Sequence, residues 1–257
     1  MTRDKMAKSL AVGFGLLAAL AIVGFFLVPV ALGLESEGPP QLEVGDRAAE
    51  SIEVVLERGQ ETGVAPEVAD TAQLAQPEIE ALDAIEGEWR IAGDSVAGYR
   101  VFKDFVGAAE FEAVGRTSQV VGNLTIEGSA VTEGSFNVDI ASVRSDDSRR
   151  DAQFVGPILN AAEYPVATFV LTSPIELGDA AAVGAEVTTD VTGELTLRGV
   201  TREVVFPLTA RLVGGEVQVA GSIDVVFADY DIEAPFTPTI VVRDEGIIEF
   251  SLFFEMS

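Results

Sequence analysis

The stretch GELTLRGVTREVVFPL, residues 193–208, alternates apolar and polar side chains on both sides of a charged, Gly-centred tip. Leu195 and Leu197 come before the tip, and Phe206 and Leu208 come after it. A period of two on both sides of a short turn is typical of a β-hairpin with one apolar face. We therefore predict a strand pair here and expect the rest of the folded region to be built from strands as well.

Segments with the same alternation recur at regular intervals, separated by Gly, Asp, Ser or Pro. The predicted strands begin with Trp89-Arg90-Ile91 and continue at about 98–105, 110–116, 119–127, 132–143, 166–173, 186–197, 203–213, 216–227 and 246–256. Eight or nine such strands predict an all-β fold that closes into a barrel. The interruption at 147–160 predicts one short helical segment, with Ser148 as its N-cap and Asp151 at its third position.

The chain of 257 residues carries a formal net charge of −26, which argues against nucleic acid as a partner. It has no Cys and no His, so the sequence excludes thiolate and imidazole metal sites, Cys nucleophiles and Ser-His-Asp catalysis. The acidic clusters at 146–151 and 229–233 do not follow the calcium-loop pattern. We therefore predict a binding protein with no catalytic residues, no metal and no cofactor; a hydrolase using carboxylates is the catalytic alternative.

Residues 10–34 form an uncharged run, preceded by Arg3, Lys5 and Lys8 and followed by Glu35. A run of this length spans a bilayer, whereas the apolar region of a cleaved signal peptide has only about 7–15 residues. Positive charge before the run and acidic charge after it predict a cytoplasmic N-terminus and an extracytoplasmic remainder. We therefore predict a single-pass signal-anchor.

Composition divides the chain into three parts. Residues 1–34 are the predicted cytoplasmic tip and transmembrane signal-anchor, and residues 88–257 carry the predicted strands. Residues 35–87 are rich in Ala, Glu, Pro and Gly, with Arg47 and Arg58 as their only basic residues. Such a segment buries too little apolar surface to fold alone, so we predict an acidic flexible linker that holds the barrel off the membrane.

Several motifs in the strand-rich region occur in a characteristic order and spacing. They are Arg150-Asp151, then Tyr164-Pro165-Val166-Ala167-Thr168-Phe169, then the opening stretch as far as Arg202. Trp89 with Asp94-Ser95, and the closing Asp244-Glu245-Gly246, agree with the same pattern. Together these motifs resemble the YceI family of extracytoplasmic polyisoprenoid-binding barrels, over about residues 88–257.

The resemblance implies a lipocalin-like, eight-stranded antiparallel barrel whose lumen holds the hydrocarbon tail of an isoprenoid lipid. An eight-stranded barrel is wide enough for one small ligand, which agrees with the strand pattern. The expected lumen residues are Phe136, Val138, Ile140, Phe169, Leu171, Leu195, Leu197, Phe206, Leu208, Ile223, Val225, Phe250, Leu252 and Phe254. Composition alone leaves open whether they line a tunnel or fill a solid core, and the resemblance favours the tunnel.

Polar residues near the expected mouth of the barrel are candidates for contact with a lipid head group. They are Arg149, Arg150, Asp151, Gln153, Arg198 and Arg202. The alternatives are an Arg-Asp pair that fixes the helix to a strand, and a solvated hairpin tip for the last two. Many relatives carry a His where this chain has Gln153, so any role of that imidazole is absent here.

Together with this resemblance, the sequence predicts a membrane-anchored protein on the outer side of a bacterial cytoplasmic membrane. It is expected to hold an isoprenoid or similar amphipathic lipid, such as a quinone or polyprenyl carrier, in an apolar lumen. The alternative is a ligand-free structural or interaction module of the cell envelope with a fully packed barrel. The predicted partners are the lipid and, through residues 10–34, the membrane. Pairing through the membrane helix or a sheet edge could give a dimer, but no feature of the sequence supports one.

Overall fold

The structure is a computed structural model that describes residues 39–47, 85–105, 110–177, 185–235 and 240–257. Within these ranges, 12 strands form one antiparallel sheet. The strands are β1 (Gly87–Ile91), β2 (Val96–Phe105), β3 (Glu110–Thr117), β4 (Val120–Glu127), β5 (Ala130–Asp139), β6 (Arg144–Ser145), β7 (Val166–Leu171), β8 (Ile175–Glu176), β9 (Glu186–Leu197), β10 (Val200–Val213), β11 (Glu216–Val226) and β12 (Ile240–Met256). The helical segments are α1 (Ser148–Gln153), a π-helical turn (Phe154–Ile158) and two 3-10 turns (Ile140–Ser142 and Phe227–Tyr230).

The sheet closes into a barrel with eight strand positions. One edge of β12 pairs with β11, and the other edge pairs with both β1 and β2, which lie end to end. β1 and β2 therefore act as one kinked strand, and β4 and β3, which pair with them, act as the next. The other six positions are β5, β7, β9, β10, β11 and β12. The predicted eight-stranded antiparallel barrel with one short helix is confirmed.

Some strand boundaries differ from the predicted ones because the turns are tighter or less regular than the pattern indicated. Arg198 and Gly199 both have positive φ, 49° and 78°, so two residues complete the turn and β10 begins directly after it. β5 ends at Asp139, short of the predicted 143, because the Asp139 carboxylate caps the 3-10 turn that follows. β12 begins at Ile240 rather than 246, since a register irregularity interrupts its alternation.

Residues 39–47, which we call the strap, lie against the outer face of the barrel. Leu42 is buried against Val96 of β2, and the Arg47 guanidinium lies 4.4 Å from the centre of the Phe253 ring on β12. The polar, Pro-containing sequence of the strap placed it in the predicted linker and gave no indication of this contact. The barrel wall therefore has a second layer on this side.

Beneath the strap, three charged side chains form a buried cluster. Glu249 is 1% exposed and accepts hydrogen bonds from Nε and Nη2 of Arg116, at 3.2 and 2.9 Å, and from Nη2 of Arg100, at 3.2 Å. The main-chain oxygens of Pro39 and Pro40 accept further hydrogen bonds from the two guanidinium groups, at 2.7 and 2.6 Å. The strap thus satisfies charged groups on a face that would otherwise be exposed to water.

The predicted signal-anchor at residues 10–34 lies outside the described residues, as does most of the predicted linker. Within the described ranges, none of the helices has the length and apolar character needed to span a membrane. The division into residues 1–34, 35–87 and 88–257 stays a prediction.

Candidate functional site

A cavity of about 510 Å³, the upper chamber, lies inside the barrel at the end that carries α1. Its strand walls are mainly apolar and include Val101, Val138, Ala167, Leu197, Val225 and Ile248. Phe154 and Ile158 of the π-helical turn also line it, so the helical segment forms part of its enclosure. Its volume falls in the range of about 300–1,000 Å³ that small-molecule sites typically have.

The helical segment is fixed to the barrel by two acidic side chains. The Asp147 carboxylate caps α1 by accepting a hydrogen bond from the main-chain nitrogen of Arg149, at 2.9 Å. The predicted N-cap, Ser148, is therefore wrong by one residue, because Ser148 is the first helical residue. Asp151 instead accepts hydrogen bonds from the main-chain nitrogen and hydroxyl of Ser145, at 2.9 and 2.6 Å, which ties α1 to β6.

The rim of the upper chamber is polar. Arg149, Arg150 and Gln153 line it from α1, and the Arg149 side chain is 82% exposed, so the chamber reaches the surface there. Arg150 pairs with Asp146, and Arg149 pairs with Asp147 at 3.5 Å. The chamber therefore combines an apolar interior with a charged rim, which suits an amphipathic ligand.

Sequence reasoning missed two polar residues of this chamber, Tyr99 and Lys103 on β2. The Tyr99 ring stacks on Phe154 with centroids 4.4 Å apart, and burial raises the pKa of Tyr99 to about 12, so its phenol stays neutral. Burial, and next the neighbouring charge of Arg150, lower the pKa of Lys103 from its ordinary value. The signal was present in the sequence, because Tyr99, Val101 and Lys103 alternate along one face of a predicted strand.

A smaller cavity of about 130 Å³, the lower chamber, lies towards the other end of the barrel. Leu171 of β7, Leu208 of β10, and Leu252 and Phe254 of β12 are among its lining residues. The two chambers share no lining residue among those described. The interior is therefore divided.

Four phenylalanines form the partition, and we call them the phenylalanine ring. Phe136 stacks on Phe169 at a centroid distance of 5.3 Å, and Phe169 meets Phe206 edge to face at 5.4 Å. Phe206 meets Phe250 edge to face at 5.9 Å, and Phe250 returns to Phe136 at 5.2 Å. Each of the four side chains comes from a different strand and is at most 8% exposed. The closed circuit of contacts spans the barrel interior, and all four rings line the lower chamber while none lines the upper one.

The structure places the expected lumen residues as follows. Val138, Ile140, Leu197 and Val225 line the upper chamber, and Phe136, Phe169, Leu171, Phe206, Leu208, Phe250, Leu252 and Phe254 line the lower one. Leu195 and Ile223 are buried, 2% and 1% exposed, but line neither chamber. The interior is thus neither one tunnel nor a solid core, and contact of these residues with a ligand stays a prediction.

The six polar candidates separate into two groups. Arg149, Arg150 and Gln153 line the upper chamber, whereas Asp151, Arg198 and Arg202 do not. Asp151 is engaged by Ser145, Arg198 donates to the main-chain oxygen of Asp231, and Arg202 is exposed beside the hairpin tip. Among the described residues, no group of three or more acidic side chains is arranged to hold a metal ion.

A family model for the YceI-like domain matches residues 94–254 of this chain. Protein YceI of Escherichia coli O157:H7 is 37% identical over 116 residues, and that of Salmonella arizonae is 36% identical over 116 residues. Each match covers 45% of this chain and 49% of the relative, so the chain spans about half the length of the curated relatives it matches.

Two solved structures resemble the barrel. A polyisoprenoid binding domain from Saccharophagus degradans is 22% identical, with a TM-score of 0.55, and the match covers 66% of this chain and 98% of that domain. BcnA from Burkholderia cenocepacia is 20% identical, with a TM-score of 0.49, over 61% of this chain and 95% of that protein. The first similarity agrees with the closed barrel described above.

Proposed function

This chain belongs to the YceI-like family, and on that premise we propose that its barrel binds the apolar tail of an isoprenoid or similar amphipathic lipid. The observation that carries the proposal is the upper chamber, a cavity of about 510 Å³ with mainly apolar walls and a charged rim. The name of the Saccharophagus degradans domain, a polyisoprenoid binding domain, supports the same ligand class.

The physical basis of binding is removal of hydrocarbon from water. Each methylene group that enters an apolar site contributes about 0.8 kcal/mol, so an isoprenoid tail needs no polar anchor to be retained. The rim acts on the other end of the ligand. Lys103, Arg149 and Arg150 offer N–H donors to the polar head, while the rest of the walls offers mainly apolar contact to the tail. The proposed ligand therefore enters tail first.

We propose binding rather than catalysis because the carboxylates near the chamber are already engaged. Asp147 caps α1, Asp151 accepts two hydrogen bonds from Ser145, and Asp146 pairs with Arg150. Each interaction holds its carboxylate in position. These acids hold the helical segment in place, which is a structural role.

The proposal includes the signal-anchor at residues 10–34 and an extracytoplasmic barrel. The strap supports a particular arrangement, because Pro39 contacts Arg100, about 17 Å along β2 from the upper end of that strand. Five peptide steps separate Leu34 from Pro39, and they can reach at most about 18 Å in any conformation. On β12 the partner of Arg100 is Ile247, and the lower end of that strand, Met256, lies nine residues further along. That end is therefore about 30 Å from the point where Pro39 contacts Arg100.

A membrane surface at Leu34 is therefore within reach of the upper chamber and out of reach of the lower end of the barrel. In the proposed arrangement the charged rim faces the bilayer, so a lipid passes from the membrane into the chamber over a short distance. The strap, rather than a long free linker, sets this orientation.

The test of the proposed function is the lipid content of the full chain purified from bacterial membranes in mild detergent. Organic extraction and mass spectrometry should find an isoprenoid or other long-chain lipid. Leu197→Trp fills the upper chamber and should remove that lipid, whereas Leu171→Trp, the matched control in the lower chamber, should retain it. Absence of any lipid from the unaltered chain, or equal retention by Leu197→Trp, would contradict the proposal.

The anchor is tested separately by washing those membranes with high salt. We expect the full chain to stay with the membranes, because an apolar span is not released by screening of charges. Recovery of the uncleaved full chain in the soluble fraction would contradict the anchor and leave the binding proposal to its own test.

A further inference from the structure

We propose that the phenylalanine ring is a length stop, so that the upper chamber accepts isoprenoid tails of up to about four units and excludes the remainder of longer tails. This inference rests on the proposed function, since it concerns the tail of the same ligand. The ring lines the lower chamber, and three of its members, Phe136, Phe169 and Phe250, lie two residues along their strands from Val138, Ala167 and Ile248, which line the upper one. A tail that enters from the rim therefore meets the four rings before it can reach the lower chamber.

Glycines on the neighbouring strands make room for the ring. A Cβ atom at Gly193 would overlap the Phe169 ring, and one at Gly221 would lie 2.8 Å from Cζ of Phe250 and 3.4 Å from Cε2 of Phe206. Real Cβ atoms essentially never approach other atoms as closely as 2.8 Å. The aromatic side chains therefore pack directly against the backbone of neighbouring strands. Their positions depend on strand pairing rather than on contacts with flexible side chains.

The capacity of the upper chamber follows from its volume. An apolar cavity of about 150 Å³ holds one benzene molecule, which is about 25 Å³ for each carbon atom. On that scale, a chamber of 510 Å³ holds about 20 carbon atoms, or about four isoprene units. The lower chamber, at 130 Å³, would add about one unit if the partition were opened.

The charges of the barrel fix the direction of entry. Lys103, Arg149 and Arg150 line the upper chamber and can hold a polar head at the rim. The lower chamber is lined mainly by aliphatic and aromatic side chains, so a head group there would lose its hydration without compensation. The tail end, not the head, therefore reaches the phenylalanine ring.

The experiment measures binding of farnesol, geranylgeraniol and a hexaprenyl alcohol to the full chain in detergent and to its variants. Phe206→Ala removes one ring and is expected to join the two chambers, and Phe206→Leu should open the partition less while preserving more of the packing. Phe253→Ala is the matched control, because Phe253 is equally buried but lies on the outer face beneath Arg47. Comparing variants with the same prenol cancels differences in solubility between prenols.

For the unaltered chain, affinity should rise from farnesol to geranylgeraniol and then level off. Phe206→Ala should bind the hexaprenyl alcohol more tightly than the unaltered chain, on the order of tenfold or more, because at least one further isoprene unit becomes buried. Phe206→Leu should show a smaller gain, and it provides the test if Phe206→Ala does not fold. Phe253→Ala should show no gain.

A hexaprenyl alcohol that binds the unaltered chain at least tenfold more tightly than geranylgeraniol would overturn the length stop. An affinity for the hexaprenyl alcohol that is unchanged in the folded Phe206 variants would do the same. Failure of all three prenols to bind any variant would contradict the proposed function itself, and the length stop with it. The two failures are therefore distinguishable.

Discussion

The buried cluster beneath the strap allows a sharp test of how the outer layer is held. Glu249→Gln preserves the shape of the side chain but removes the negative charge that faces Arg100 and Arg116. The side chains of Glu249, Arg100 and Arg116 are only 1%, 3% and 2% exposed, so water cannot replace the lost interaction. Removing one partner of a buried ion pair costs about 3–5 kcal/mol. Arg100 keeps its pair with Glu112, so we expect a loss near the lower end, about 3 kcal/mol.

Urea unfolding of the two proteins measures this loss as a difference in the free energy of unfolding, with the slope checked for equality. Glu255→Gln is the matched control, because Glu255 pairs with Arg90 at 3.0 Å but the two side chains are 50% and 63% exposed. An exposed pair contributes about 0–1 kcal/mol, so this control should unfold almost as the unaltered protein does. If Glu249→Gln costs no more than Glu255→Gln, the argument from burial is refuted.

Three further predictions concern the strap, the hairpin turn and a buried phenol. A chain that begins at Ile85 lacks the strap and should be less stable than a chain that begins at Pro39. The expected loss is about 1.5–3 kcal/mol, because the Leu42 side chain is no longer buried. Equal melting temperatures would contradict this prediction. Gly199→Val should lower the free energy of unfolding by about 1–3 kcal/mol, because φ at this position is 78° and the new Cβ atom would lie 2.5 Å from the Tyr164 ring. Thermal unfolding measures this loss, and an unchanged melting temperature would mean that the turn relaxes freely. Burial raises the pKa of Tyr99 from 10.0 to about 12, so its contribution to stability is fully present below pH 10 and is lost as the pH rises through 12. Alkaline unfolding of Tyr99→Phe should lack that loss, and a phenolate signal from Tyr99 near pH 10 in the folded protein would oppose the assignment.

The strands could be predicted from the sequence because their alternation is local. Phe169, Leu171, Leu195 and Leu197 repeat every second residue, and the structure buries or half-buries all four inside the barrel. Alternation does not fix the strand boundaries where backbone geometry decides them. The φ values of the Arg198-Gly199 turn are an example, because alternation does not report φ.

The strap and the partition could not be predicted, because both depend on contacts between distant parts of the chain. In the sequence, Leu42 is a single apolar residue in a polar segment, and only the structure shows that it packs against Val96. Phe136 and Phe250 are far apart in sequence, and their ring contact at 5.2 Å exists only once the barrel closes. Alternation therefore identified the inward-facing residues, but it did not indicate that four of them meet and divide the interior.

Calorimetric titration of the full chain with geranylgeraniol tests the central claim most directly. The account predicts one molecule bound for each chain, with a negative heat-capacity change because apolar surface leaves water. It also predicts that Leu197→Trp, which fills the upper chamber, abolishes the signal while Leu171→Trp preserves it. Binding without a negative heat-capacity change, or binding that Leu197→Trp leaves intact, would contradict the claim that the upper chamber holds the lipid tail.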